Sequence, residues 1–207
     1  MILVYTGEGK GKTSACAGQA LRALGQGMSV AFGQFMKRDC GAGEQQMLGR
    51  LLGARFRPGG LGFLRHEEER PAHHAAAAKL MDWARQQAEE VDMLILDEAL
   101  YALGAGLLTR EELAPLLARA GGQDRHLVLS GRGLPEWLAE TADLVTEMQE
   151  RKHPWRKGVP AARGIEFEPC AVPPAPHLRA PARAAKPPLR PLPRSTPLRT
   201  RPGSPSM

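Results

Sequence analysis

Aromatic side chains are scarce in this chain: 207 residues include only five Phe, three Trp and two Tyr. A platform on which bases stack needs more of them, which argues against a single-strand nucleic-acid binder of that kind. Cysteine is scarcer still. Cys16, Cys40 and Cys170 are widely spaced and odd in number. They form neither a disulfide framework nor a CxxC metal pair, and such usage fits a reducing cytoplasm. No apolar run approaches the roughly 18 residues that a membrane span needs. The short apolar run after Met1 has no basic flank and stops at Gly7, so it does not read as a signal peptide.

Acidic residues are missing altogether from residues 169–207, which hold seven of the 28 Lys and Arg and 12 of the 18 prolines. The seven are Arg179, Arg183, Lys186, Arg190, Arg194, Arg199 and Arg201. Residues 1–168 are left with 21 basic and 22 acidic side chains, so the formal charge of +6 belongs to the tail. A basic nucleic-acid-binding core is thereby disfavoured. The tail buries too little apolar surface to offset its ordering entropy and is expected to be disordered or partly polyproline-like. The body, 1–168, has the size of one domain.

Within the body, short apolar runs alternate with longer helical patterns. Strands are expected at Ile2–Tyr5, Ser29–Phe35, Val91–Leu96, His126–Ser130 and Leu144–Thr146, with further candidates at Ala54–Arg57 and Gly164–Phe167. Helices are expected at Thr13–Leu24, Glu44–Leu52, His66–Glu90, Thr109–Arg119 and Glu136–Ala142. Thr109 and Glu112 have capping-box spacing, and Pro71 suits a first helical turn. The alternation predicts an α/β fold of the P-loop NTPase-like kind, a mostly parallel sheet with helices on both faces. Ligands of such folds sit beyond the carboxyl ends of the strands.

Three motifs fall at that edge. The first is Gly7-Glu8-Gly9-Lys10-Gly11-Lys12-Thr13-Ser14, between the first strand and the first helix. Its glycines let backbone N–H groups turn inward on an anion, and the helix start adds its own free N–H groups. Lys12 reaches the outer phosphates and the Thr13 hydroxyl suits Mg²⁺. The spacing departs from the usual pattern, because Thr6 stands where the first glycine is expected. The second motif is Leu94-Ile95-Leu96-Asp97-Glu98, an apolar strand ending in two carboxylates. Either one can serve a metal ion, and spacing does not choose between them. The third is Gly131-Arg132-Gly133 after His126–Ser130, where a guanidinium can fork phosphate oxygens. A turn arginine on the surface would look the same.

Taken together, the blocks resemble the P-loop family of ATP:cob(I)alamin (corrinoid) adenosyltransferases. The similar blocks are the Gly7–Thr13 loop, Arg22–Gly27, Gln34-Phe35-Met36-Lys37 leading to Gly43-Glu44, and Leu96–Tyr101. Ser130-Gly131-Arg132, Ala142–Met148, Lys152-His153-Pro154, Gly158-Val159 and Gly164–Phe167 complete the series. The family shares the unusual loop spacing. What the resemblance implies is transfer of the 5′-deoxyadenosyl group of ATP to the reduced cobalt of a corrinoid, cobalamin or a precursor, with release of triphosphate. ATP would lie reversed in the loop relative to most NTPases.

On this reading Lys12, Thr13 and Arg132 are catalytic, and Gly7 to Ser14 bind the nucleotide. Thr13, Asp97 and Glu98 hold Mg²⁺. Phe63, in Gly62-Phe63-Leu64-Arg65, is the candidate corrin contact, although Arg65 replaces an aromatic residue common in the family. By residue type alone Phe63 suits a core position equally well. Gln34, Glu44, Lys152 and His153 match family positions without an assigned role. His73 and His74 point in different directions on one helix, which suits solvent or packing rather than metal. Implied partners are ATP, a corrinoid, a reductant for cobalt and, as in many relatives, a second copy of the chain. The competing expectation is a different P-loop ATPase or small-molecule kinase.

Overall fold

A computed structural model describes residues 1–39, 42–121, 125–162 and 164–165. The chain divides into a unit over Met1–Val172 and a second over Pro173–Met207, which lies wholly outside the described residues. The expected tail and its boundary at residue 168 therefore fall outside them too.

Among the described residues six strands form one sheet: β1 (Ile2–Thr6), β2 (Val30–Gln34), β3 (Phe56–Pro58), β4 (Met93–Asp97), β5 (His126–Ser130) and β6 (Leu144–Glu147). Their order is β3-β2-β4-β5-β1-β6, and every pairing is parallel. All strands therefore end at one edge. The helices are α1 (Lys12–Gly25), α2 (Gly43–Leu52), α3 (Arg70–Glu90), α4 (Ala99–Gly104), α5 (Arg110–Ala120) and α6 (Glu136–Thr141).

Alternation along the strands sorts the core into two halves. Met93, Ile95 and Val128 face Cys16, Ala20, Ala23 and Leu48 of α1 and α2. Leu94, Leu96, Leu127 and Leu129 face α3 to α6. All five residues of β2 and all five of β4 are buried, as befits strands covered on both faces. Fully burying one such Leu or Ile contributes about 1.5–3 kcal/mol. On α1 the buried Cys16, Ala20 and Ala23 recur at helical spacing and press one stripe on the sheet. The helix ends where Gln26 and Gly27 donate to the carbonyls of Ala23 and Leu24.

The Thr109 hydroxyl accepts from the Glu112 amide at 3.2 Å, and the Glu112 carboxylate accepts from the Thr109 amide at 2.8 Å. The capping box read from spacing is thus formed. Pro71 does lie in the first turn of α3, but the helix begins at Arg70 rather than His66. A 3₁₀ turn over Glu67–Glu69 precedes it, where the Glu69 carboxylate accepts from the amides of Arg65 and His66. The strand expected at Ala54–Arg57 is present but shifted to Phe56–Pro58, because Gly53–Arg55 forms a 3₁₀ turn. Gly164 and Ile165 form a turn rather than a strand, and the rest of that candidate lies outside the described residues. Among the described residues no helix is long and apolar enough to cross a membrane.

Candidate active site at the carboxyl edge of the sheet

The loop Gly7–Gly11 joins β1 to α1 and meets the segment just beyond β6. Gly9 donates its N–H to the Met148 carbonyl at 2.6 Å, and the Met148 amide donates to the Thr6 carbonyl at 2.8 Å. Gly7 has φ +99°, and a Cβ there would lie 2.4 Å from the Met148 carbonyl oxygen. Both the left-handed backbone and the close approach demand glycine. Inside the turn, the Lys12 ammonium donates to the carbonyls of Gly7 at 2.7 Å and Gly9 at 2.8 Å. The residue is only 7% exposed. Burial lowers the Lys12 pKa, with the Arg132 charge adding to this, while Glu98, Glu8 and Asp97 oppose it. An ammonium held by neutral carbonyls is a charge available to an anion.

The Asp97 carboxylate ends β4 and is fully buried. One of its oxygens accepts from Ser130 Oγ at 2.6 Å and the other from Gln34 Nε2 at 3.0 Å. The Thr13 hydroxyl donates to it, at 3.1–3.2 Å from its two oxygens, and the Lys37 ammonium lies 3.2 Å away. Four donors, from β5, α1, β2 and the loop after β2, replace the water this charge has lost. Gln45, itself buried, donates to the Gln34 side-chain oxygen at 3.0 Å and to the Arg38 carbonyl at 2.9 Å, fixing the amide that holds Asp97.

Glu98 follows with φ 61°, the sole non-glycine residue at positive φ among those described. This costly conformation turns the backbone out of β4 and into α4. The Glu98 amide donates to Ser130 Oγ at 3.1 Å. Burial raises the Glu98 pKa and the neighbouring Asp97 charge raises it further, against Lys37, Lys12 and Arg132. Lys37 also contacts the Thr13 hydroxyl at 2.9 Å and Glu44 Oε1 at 3.2 Å.

Arg132 does reach the phosphate loop. Its Nε lies 3.1 Å from the Glu8 carboxylate, with both side chains largely exposed. Phe63 is 60% exposed and packs edge-to-face on Tyr101 at 5.4 Å between ring centres. It is therefore a rim residue and not part of the core. His73 is buried beside Glu69 and His74 is exposed on the same helix. His153 accepts from the Trp155 amide at 3.2 Å, a local turn contact.

The fold thus gathers the loop, Thr13, Asp97 and Glu98 at one edge, with Arg132 on their rim. Among the described residues no three His, Cys, Asp or Glu side chains form a metal cluster. The donors that do converge are the Thr13 hydroxyl and the Asp97 carboxylate, hard oxygens suited to Mg²⁺. A cation, the Lys37 ammonium, already lies against both. That pair of oxygens suits a magnesium ion. Ser130 and Gln45 were not visible as site residues in the sequence. Ser130 stood only in the Ser130-Gly131-Arg132 block, without a role, and Gln45 showed only as a glutamine in the first turn of α2.

The profile of ATP:corrinoid adenosyltransferase BtuR/CobO/CobP matches residues 1–167. A corrinoid adenosyltransferase of Sinorhizobium sp is 36% identical over 171 residues, covering 81% of this chain and 80% of that protein. The corrinoid adenosyltransferase CobA of Salmonella typhimurium is 35% identical over 170 residues, covering 81% and 85%. Among solved structures, the flagellar accessory protein FlaH from Methanocaldococcus jannaschii aligns with TM-score 0.47 at 16% identity, over 70% of this chain and 69% of that one. On the match over residues 1–167, this chain belongs to the ATP:corrinoid adenosyltransferase family.

Proposed function

We propose that this protein transfers the 5′-deoxyadenosyl group of ATP to the reduced cobalt of a corrinoid and releases triphosphate, in the making or salvage of adenosylcobalamin. The observation that carries the reading is a buried lysine ammonium turned into a glycine loop at the carboxyl edge of a parallel sheet, in a chain matching this family over residues 1–167.

In the reaction the cobalt electron pair forms the Co–C5′ bond. The C5′–O bond breaks and triphosphate leaves with its electrons. Cob(I)alamin-type cobalt is a strong nucleophile, so the protein need not supply a base. What it must supply is alignment, which can lower such a barrier by about 7–11 kcal/mol, and donors for the charge growing on the departing oxygens. Lys12 and the N–H groups at the start of α1 serve that charge, and Arg132 adds to it by exchanging Glu8 for a phosphate oxygen. Thr13 with Asp97 or Glu98 would hold Mg²⁺, which when bound neutralises charge on the triphosphate. Asp97, which accepts from the Thr13 hydroxyl, keeps Thr13 aimed. Exposed Phe63 offers the corrin an apolar face. A separate reductant delivers the electron that makes cobalt nucleophilic, and a homodimer is the expected assembly.

The decisive experiment mixes the full chain with Mg-ATP and chemically reduced cobalamin under anaerobic conditions. The corrinoid spectrum should convert to the adenosylated form with one triphosphate released per turnover. ADP and phosphate without corrinoid conversion would instead mark an ATPase or kinase. Failure with both cobalamin and cobinamide, in protein shown to be folded, overturns the proposal.

A further inference from the structure

Lys37 is a charged group at the site that the proposed chemistry leaves unused. Its ammonium sits among three oxygens from three separate places: Thr13 at the start of α1, Glu44 in α2 and Asp97 at the end of β4. The carboxylates of Asp97 and Glu44 hold the Lys37 pKa above its usual value despite burial.

The backbone beneath this side chain is fixed. The Lys37 carbonyl accepts from the Gly60 amide at 3.0 Å, the Met36 carbonyl from Gly62 at 3.0 Å, and the Gln34 carbonyl from Gly59 at 2.9 Å. A Cβ at Gly60 would come within 1.8 Å of the Phe35 carbonyl oxygen, so the two loops are in direct backbone contact. The side chain, 28% exposed, has a way out to solvent while its backbone stays clamped.

A divalent ion bound to the Thr13 hydroxyl and the Asp97 carboxylate would need the oxygen atoms that the ammonium now occupies. Mg²⁺ binds oxygen at about 2.0–2.1 Å. A second cation cannot remain on the same hydroxyl and carboxylate without strong repulsion. We infer that Lys37 is the resident cation of the metal site. It holds Thr13, Glu44 and Asp97 together before a divalent ion arrives, and the ion displaces it. The residue acts by positioning these oxygens and not by touching the reacting atoms. The inference rests on the Thr13–Asp97 metal assignment above, but not on corrinoid chemistry.

The test uses Mn²⁺ as the probe, titrated into the full chain by electron paramagnetic resonance without nucleotide or corrinoid. Lys37→Met should bind Mn²⁺ at least about tenfold more tightly than the unaltered chain, because a competing charge has gone. Equal or weaker binding overturns the inference. A second measurement needs no substitution. Acetylation of Lys37 in the unaltered chain, read by mass spectrometry, should rise several-fold when Mg²⁺ is added, as the ammonium is released to solvent. Unchanged or reduced labelling overturns it as well. Adenosyl transfer assayed on the same protein reports separately on the proposed function.

Discussion

Two lysines lie at the carboxyl edge of the sheet, and their surroundings differ in kind. Lys12 is enclosed by the Gly7–Gly11 loop and bonded to two neutral carbonyls. Lys37, on the loop after β2, is surrounded by the oxygens of Thr13, Glu44 and Asp97. Burial drives the first pKa down, while the carboxylates drive the second up. A cation held by dipoles still has its charge to offer, whereas a cation held by carboxylates has already been matched. On the proposed function the first is prepared for an anion, and on the further inference the second stands in for a metal.

The comparison breaks most plainly at Lys12. Lys12→Ala should lower adenosyl transfer by about 10²–10³-fold or more, the loss expected for removing one donor to developing negative charge. Circular dichroism should stay unchanged, because the lysine serves a ligand more than the core. Retained turnover would remove the phosphate-loop assignment.

Asp97→Asn attacks the other side. It leaves the Lys37 ammonium partly buried with one carboxylate fewer, and should lower stability by about 3 kcal/mol in urea unfolding. Adding Lys37→Met should restore part of that loss. A strictly additive double variant would mean that the two side chains are not coupled.

The two lysines should also titrate with opposite signs. Lys37 is raised above 10.5 on folding, so its contribution is fully present below pH 10.5 and is lost as pH climbs through its folded-state value. Lys12 is lowered below 10.5, so stability rises with pH between its folded-state value and 10.5. Urea midpoints at alkaline pH, compared with Lys37→Met and Lys12→Met, should lose one slope each. Slopes of the same sign would erase the distinction.

The smallest effect on stability is expected at the rim. Arg132→Ala breaks only an exposed pair with Glu8 and should change stability by less than about 1 kcal/mol. Turnover should nonetheless fall several-fold if the guanidinium moves to phosphate, and unchanged turnover would limit Arg132 to the Glu8 contact.

What the sequence made legible was local. The Gly7–Thr13 loop, the strand ending in Asp97 and the Thr109 cap are contiguous patterns, and each is formed where it was expected. Ser130 was missed as a ligand of Asp97 because that role depends on β5 lying between β1 and β4, a pairing of segments over 30 residues apart. Gln45 was missed because its partner Gln34, although 11 residues away, lies on another element. Helix α4 is six residues long, too short to display a period. The apolar run at Leu144 and Val145 did become a strand, but all four residues of β6 are exposed. Apolar character revealed the element and not its burial.

That exposed strand has a consequence for the timing of local opening. The Gly9 amide is bonded to the Met148 carbonyl, and the Met148 amide to Thr6. Release of the segment after β6 would therefore free a phosphate-loop amide without disturbing the buried strands β2 and β4. In hydrogen exchange, Gly9 should keep pace with the edge strand β6 and not with the sheet centre. The loop's persistence is then set by the least buried strand in the sheet.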